Sequence, residues 1–169
     1  ESAPHIRGVA LDTLTFLMQM YERQYVLTAA DTQKAWGEYG NFYRTFIHNI
    51  KAGHKDYAIL AHEDQTYNEQ ALQMESKVPI KGAVGRIGVE ADFTTILSTR
   101  QVPTSELQQY ENDLLTITEE NEEDGFKNVF VTRITKKTVG QKMRSAVGLW
   151  ARNELYIDND IEQVFDRLN

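Results

Sequence analysis

Two short stretches of this sequence end in groups that can do chemistry. In "GVALDTLT" the apolar residues Val9 to Leu11 stop at Asp12 and Thr13. In "KDYAILAHED" a second apolar run stops at His62, Glu63 and Asp64. Ligands of α/β proteins bind at the carboxyl ends of the strands, so a carboxylate there points to a metal or phosphate site. A helix cap is the other reading of Asp12 or Thr13, since either side chain can accept from the first free N–H groups of a following helix. Both readings are open on these residues alone.

Cations form the second group with chemical potential. Lys77, Lys81 and Arg86 sit in "YNEQALQMESKVPIKGAVGRIGVEAD", where Pro79, Gly82, Gly85 and Gly88 break any regular pattern and let a backbone approach a phosphate closely. Further on, Glu106 to Asp124 carries eight acidic residues and no basic one, and Lys127 to Arg152 carries seven basic residues and no acidic one. Such runs make either a hairpin whose two arms attract each other or a strip that binds a polyanion. His5, His48 and His54 have no ligand spacing between them.

The elements that must position these groups are legible as patterns. Leu14, Leu17, Met18, Tyr21 and Tyr25 recur at helical spacing after the first strand. A second helix is predicted from Asp31 to about Ala52, with Trp36, Tyr39, Tyr43, Phe46, Ile47 and Ile50 on its buried side and Gly53 as its stop. Val9–Leu11 is continuously apolar, as a strand buried on both faces should be. Because it and Ala58–Ala61 both end in polar groups and are joined by helical sequence, they are predicted to be adjacent parallel strands with Asp12 and His62 on one edge. The glycine-broken stretch reads as a long mobile loop and "DFTTILSTR" as a third strand. "LLTITEENEEDGFKNVFVTRITKK" reads as a hairpin turning at Asp124-Gly125, and residues 159 to 168 as a short terminal helix. Trp36 and Trp150 are core residues or stacking platforms for a nucleobase.

With 169 residues the chain is read as one domain, 1–169, large enough for a proper core. It has no cysteine, which removes disulfides, thiolate zinc sites and a cysteine nucleophile. No apolar stretch reaches membrane-span length and residues 1 to 20 lack the features of a signal peptide, so a soluble, cytoplasmic protein is expected. The net charge of −7 argues against a uniformly basic surface.

Taken in order, "GVALDTLT", "YAILAHED", "VPIKGAVGRIGVEADFTTIL", "KKTVGQKMRSAVGLW" and "YIDNDIEQVFDRL" resemble the second half of a RecA-like P-loop ATPase, in particular the small phage-encoded ATPases of single-strand annealing recombination. The resemblance covers about Ile6 to Leu168. It implies an α/β, RecA-like core with a mainly parallel sheet flanked by helices and a C-terminal β-hairpin. It further implies ATP and Mg2+ as cofactors, single-stranded DNA as partner, a ring or filament of identical subunits, and the host cytoplasm.

By this resemblance "GVALDTLT" is the Walker B strand. Asp12 holds magnesium through water, Thr13 sits beside it, and His62 senses the γ-phosphate. Glu63 polarises the attacking water, Lys142 and Arg144 reach a neighbouring subunit's nucleotide, and Lys77, Lys81, Arg86, Lys136 and Lys137 contact DNA. One departure is plain: no G-x-x-x-x-G-K-[ST] string occurs, and "GAVGRIGVE" and "AGHKDYA" are the nearest. In the family that motif lies upstream of the Walker B strand, so the chain reads as the C-terminal part of a longer protein. The rival expectation is a non-enzymatic phage binding or assembly protein of α+β fold, in which acidic and basic arms pair between subunits.

Overall fold

The computed structural model describes residues 5–53, 55–70 and 72–169; His54 lies outside them. The chain groups into two compact units, Glu1–Asp92 and Phe93–Asn169. Both mix helices with small sheets, so the fold is mixed α/β.

In the first unit, β1 (Gly8–Leu11) leads into α1 (Leu14–Tyr21), which runs on as a π-helical turn, Glu22–Val26. The wider turn is closed by the Leu27 N–H donating five residues back to the Glu22 carbonyl at 3.0 Å. Helix α2 (Thr32–Lys51) starts at the expected place: the Asp31 carboxylate accepts from the Lys34 N–H at 3.0 Å and caps it. It buries Ala35, Tyr39, Gly40, Tyr43 and Ile47, one helical stripe. With Leu14, Met18, Val26, Ile80, Val84 and Val89 these residues are the buried apolar core of the unit.

Strand β2 (Asp56–Ile59) pairs with β1 in parallel, in the register Gly8↔Asp56 to Leu11↔Ile59. The crossover through helical sequence is what a parallel pair requires. Burial on both faces, however, is not found. Among the described residues this sheet has only two strands, and Val9 is 44% exposed, because a pair this narrow has too few neighbours to cover it.

The expected long loop is largely regular structure. Strand β3 (Asp64–Asn68) pairs antiparallel with β4 (Gln73–Lys77), then comes α3 (Gly82–Ile87) and a 3-10 turn, Val89–Asp92. Pro79 and the glycines punctuate these pieces rather than abolish them. The Val78 N–H donates to the Glu90 carboxylate at 3.0 Å, which fastens the two ends of the segment together.

The second unit is a three-stranded antiparallel sheet in the order β5 (Ser98–Pro103), β6 (Phe126–Val131), β7 (Tyr156–Asp158). Between β5 and β6 lie α4 (Thr104–Leu107) and α5 (Glu119–Asp124), and α6 (Ile161–Leu168) ends the chain as expected. Val102, Leu107, Leu115 and Val129 pack as one buried cluster, and Val131, Met143 and Leu155 as another.

The predicted hairpin at Asp124-Gly125 is thus a correction. Thr118 and Asn121 form a reciprocal capping box, three acids occupy the first turn, and Gly125 closes the helix at φ 77° in the left-handed region. Those are helix signals, and they win over the Asp-Gly turn signal. β6 instead pairs with β5 and β7. The mainly parallel sheet is corrected with it: among the described residues there are one parallel pair and two antiparallel sheets.

Two tyrosines set an alkaline limit. The Tyr43 hydroxyl donates to Asp92 at 2.8 Å, and burial, then this bond, pushes its pKa up. Burial and a 3.1 Å bond to Glu106 push Tyr156 up to about 12 from 10.0. A folded-state value above the unfolded one adds stability that is complete below pH 10.0 and disappears as pH rises through the folded value. Thermal melts should therefore fall steeply between pH 10.0 and about 12, and less steeply for Tyr156→Phe; parallel curves would show that this hydroxyl contributes nothing to the alkaline loss.

Candidate functional site at the carboxyl edge of the parallel pair

The two strands deliver their polar ends to one edge. Beyond the Leu11↔Ile59 pair, the Leu60 N–H donates to the Leu11 carbonyl at 3.0 Å and the Leu14 N–H to the Leu60 carbonyl at 2.8 Å. The ladder thus carries through to the residues around Asp12 and His62. The choice between cap and ligand site is resolved for the helix: Thr13 is the N-cap, its hydroxyl accepting from the Phe16 N–H at 3.3 Å. Thr13 is buried, whereas Asp12 is exposed, so its carboxylate faces water without capping α1. The Asp12–Thr13 peptide is cis.

His62 is fastened to the first helix by two contacts. Its backbone N–H donates to the Thr15 hydroxyl at 3.0 Å, and its ring meets Phe16 edge to face at 4.9 Å and 80°. The imidazole is exposed beside these anchors. Glu63 is exposed in the short connection between β2 and β3. The edge therefore offers the Asp12 and Glu63 carboxylates and the His62 imidazole to solvent on a hydrogen-bonded frame.

Thr15 also lines a cavity of about 250 Å³, together with Gln19, Glu22, Arg23, Tyr39 and Lys81. Glu22 is 7% exposed, and its carboxylate takes the Lys81 ammonium at 2.7 Å. The Glu22 carboxylate is buried while the Lys81 side chain that meets it is exposed, so the pair sits at the cavity's edge and is partly screened by water. Burial pushes the Tyr39 hydroxyl up, against a hydrogen bond from the Lys81 backbone. Sequence reasoning missed Glu22 entirely: nothing local marks an acid that pairs 59 residues downstream.

Other expected site residues are dispersed. Lys77 is exposed at the end of β4, opposite Asp64, and Arg86 is exposed in the last turn of α3. Lys136, Lys137, Lys142 and Arg144 belong to the second unit, in the irregular stretch after β6. All four are exposed, the Lys137 ammonium pairs with Glu106 at 3.2 Å, and the Arg144 backbone bridges Ile96. Trp36 is half-buried, edge-on to Tyr39 at 5.2 Å, and Trp150 is half-buried with the Arg167 guanidinium 5.7 Å from its ring centre.

Magnesium takes few protein ligands, keeping waters and substrate phosphates on its remaining positions. A single exposed carboxylate at a strand end, as at Asp12, suits that outer role. Among the described residues no group of three or more histidine, aspartate or glutamate side chains gathers into a metal cage. No helix among them is long and apolar enough to cross a membrane. No protein-family model, curated protein or solved structure matches this chain.

Proposed function

We propose that the chain is the C-terminal part of a RecA-like ATPase core of the phage recombination type, which binds single-stranded DNA and ATP with Mg2+. What supports this reading best is the parallel β1–β2 pair with Asp12 and His62 following on the same edge. Ligands of α/β proteins bind at the carboxyl ends of parallel strands, and that position favours this reading over a non-catalytic assembly protein. On this reading the phosphate loop comes from sequence outside these 169 residues.

Magnesium, when bound with ATP, would supply positive charge against the phosphates. Asp12 holds the ion's water shell, and Thr13 fixes the turn that presents Asp12. His62, tied through its backbone to Thr15, responds to the γ-phosphate end by changing hydrogen-bond partner. Glu63 orients the attacking water as a general base. Lys142 and Arg144 act on the nucleotide of a neighbouring subunit in a ring or filament.

The DNA contacts are Lys77, Lys81 and Arg86, with Lys136 and Lys137 as further phosphate contacts. A residue that neutralises a phosphate of a single strand flattens log affinity against log salt by roughly 0.7 when removed. A Lys77, Lys81, Arg86 triple-alanine variant should bind labelled oligothymidine more weakly and with a shallower slope. Lys142→Ala and Arg144→Ala should lower ATP turnover and leave the slope intact. Unchanged binding in the triple variant would exclude this segment as the DNA site.

A further inference from the structure

We infer that the mouth of the cavity under the π-helical turn is a phosphodiester subsite, in which Arg23 and Lys81 are paired cationic contacts to one stretch of nucleic-acid backbone. The inference rests on the nucleic-acid reading above and adds Arg23, a residue outside the glycine-broken segment, to it.

The charge balance at the mouth favours a singly charged anion. Glu22 cancels one of the two cations, Lys81 or Arg23, and leaves one net positive charge among the cavity's charged lining residues. The Lys81 ammonium has three N–H donors. One is spent on the Glu22 carboxylate at 2.7 Å, while the side chain stays 64% exposed, so the others face outward. The buried carboxylate therefore holds the ammonium in place without using it up. Arg23 is exposed on the same rim, with no hydrogen-bond or ion-pair partner among the described residues. Its planar five-donor fork suits phosphate oxygens.

The local backbone explains why both cations line the one cavity. The π-helical turn sets Glu22 inward and leaves the next residue, Arg23, exposed at the rim. On the other side Lys81 is the N-cap of α3 and is followed by Gly82 at φ 67°. Tyr39 and Gln19 add a hydroxyl and an amide to the lining.

The test is a fluorescence-polarisation titration of the full chain with labelled oligothymidine at several salt concentrations. Arg23→Ala should weaken binding and flatten the salt slope by roughly 0.7, as should Lys81→Ala, and the double variant by roughly 1.4. Arg23→Lys should restore the slope, since it keeps the charge, while recovering only part of the affinity. Thermal melts of Arg23→Ala should match the parent, because the side chain is exposed. Parent-like affinity and slope in Arg23→Ala, alongside weakened binding in Lys81→Ala, would overturn the paired subsite and leave the DNA reading standing. A parent protein that binds no oligonucleotide even at low salt would overturn both.

Discussion

Replacing Asp12 with asparagine is expected to leave the fold intact and to reduce ATP turnover by orders of magnitude in a protein that carries the phosphate loop. The structure separates the two effects. Asp12 is exposed, so an isosteric amide disturbs no packing, and the helix start depends on Thr13, whose hydroxyl holds the Phe16 N–H. On the proposed reading, what the substitution removes is the negative charge that would hold the magnesium ion's water shell beside the phosphates. Steady-state phosphate release would measure the loss, and a thermal melt superimposable on the parent's would show that the fold is not its cause. Full turnover in a well-folded Asp12→Asn protein would make Asp12 an ordinary surface acid.

The largest expected effect on stability falls on a glycine. A Cβ built on Gly85 lies 1.6 Å from the Ile80 carbonyl oxygen, a backbone atom that no rotamer change can move aside. Gly85→Ala should cost about 3 kcal/mol or more, at the upper end of single-substitution effects. The clash would push apart the curl that runs from Ile80 through α3, and with it Lys81. On the proposed DNA reading, affinity for oligothymidine should then fall although no charge has been changed. Gly37, on the exposed side of α2, supplies the opposite case, since a Cβ there meets nothing within 4 Å. Gly37→Ala should stabilise by roughly 0.5–1 kcal/mol. Urea unfolding of both variants checks the contrast; equal midpoints for Gly85→Ala and the parent would mean that the backbone relaxes there at little cost.

The parts of the fold readable from sequence are those written in local signals. Helix α2 starts after Asp31 because that residue supplies a capping carboxylate, and it ends at Lys51 with Ala52 as its C-cap, one residue before the expected stop at Gly53. The parallel pairing of β1 and β2 followed from two short apolar runs joined by helical sequence, and it carried Asp12 and His62 to one edge. The errors came where two local signals competed. Asp124-Gly125 serves as well for a helix end as for a hairpin turn, and Thr118 with its following acids decides for the helix. The β3–β4 pairing was hidden because Asp64–Asn68 is polar throughout and lacks the alternation of a half-buried strand. The Glu22–Lys81 pair is a matter of tertiary placement, which composition and periodicity do not encode.

The narrowness of the parallel pair bears on how the edge can work. Four residue pairs and a few flanking bonds tie β1 to β2, and much of their surface is wet. Elements with so little burial open at a free energy well below that of global unfolding, as their own cooperative unit. The frame of the candidate site is then a low-stability part of its unit, and a ligand that binds only the closed form would stabilise it by mass action. Occupancy and local order at Asp12 and His62 become one equilibrium. Whatever binds there also folds the edge that binds it.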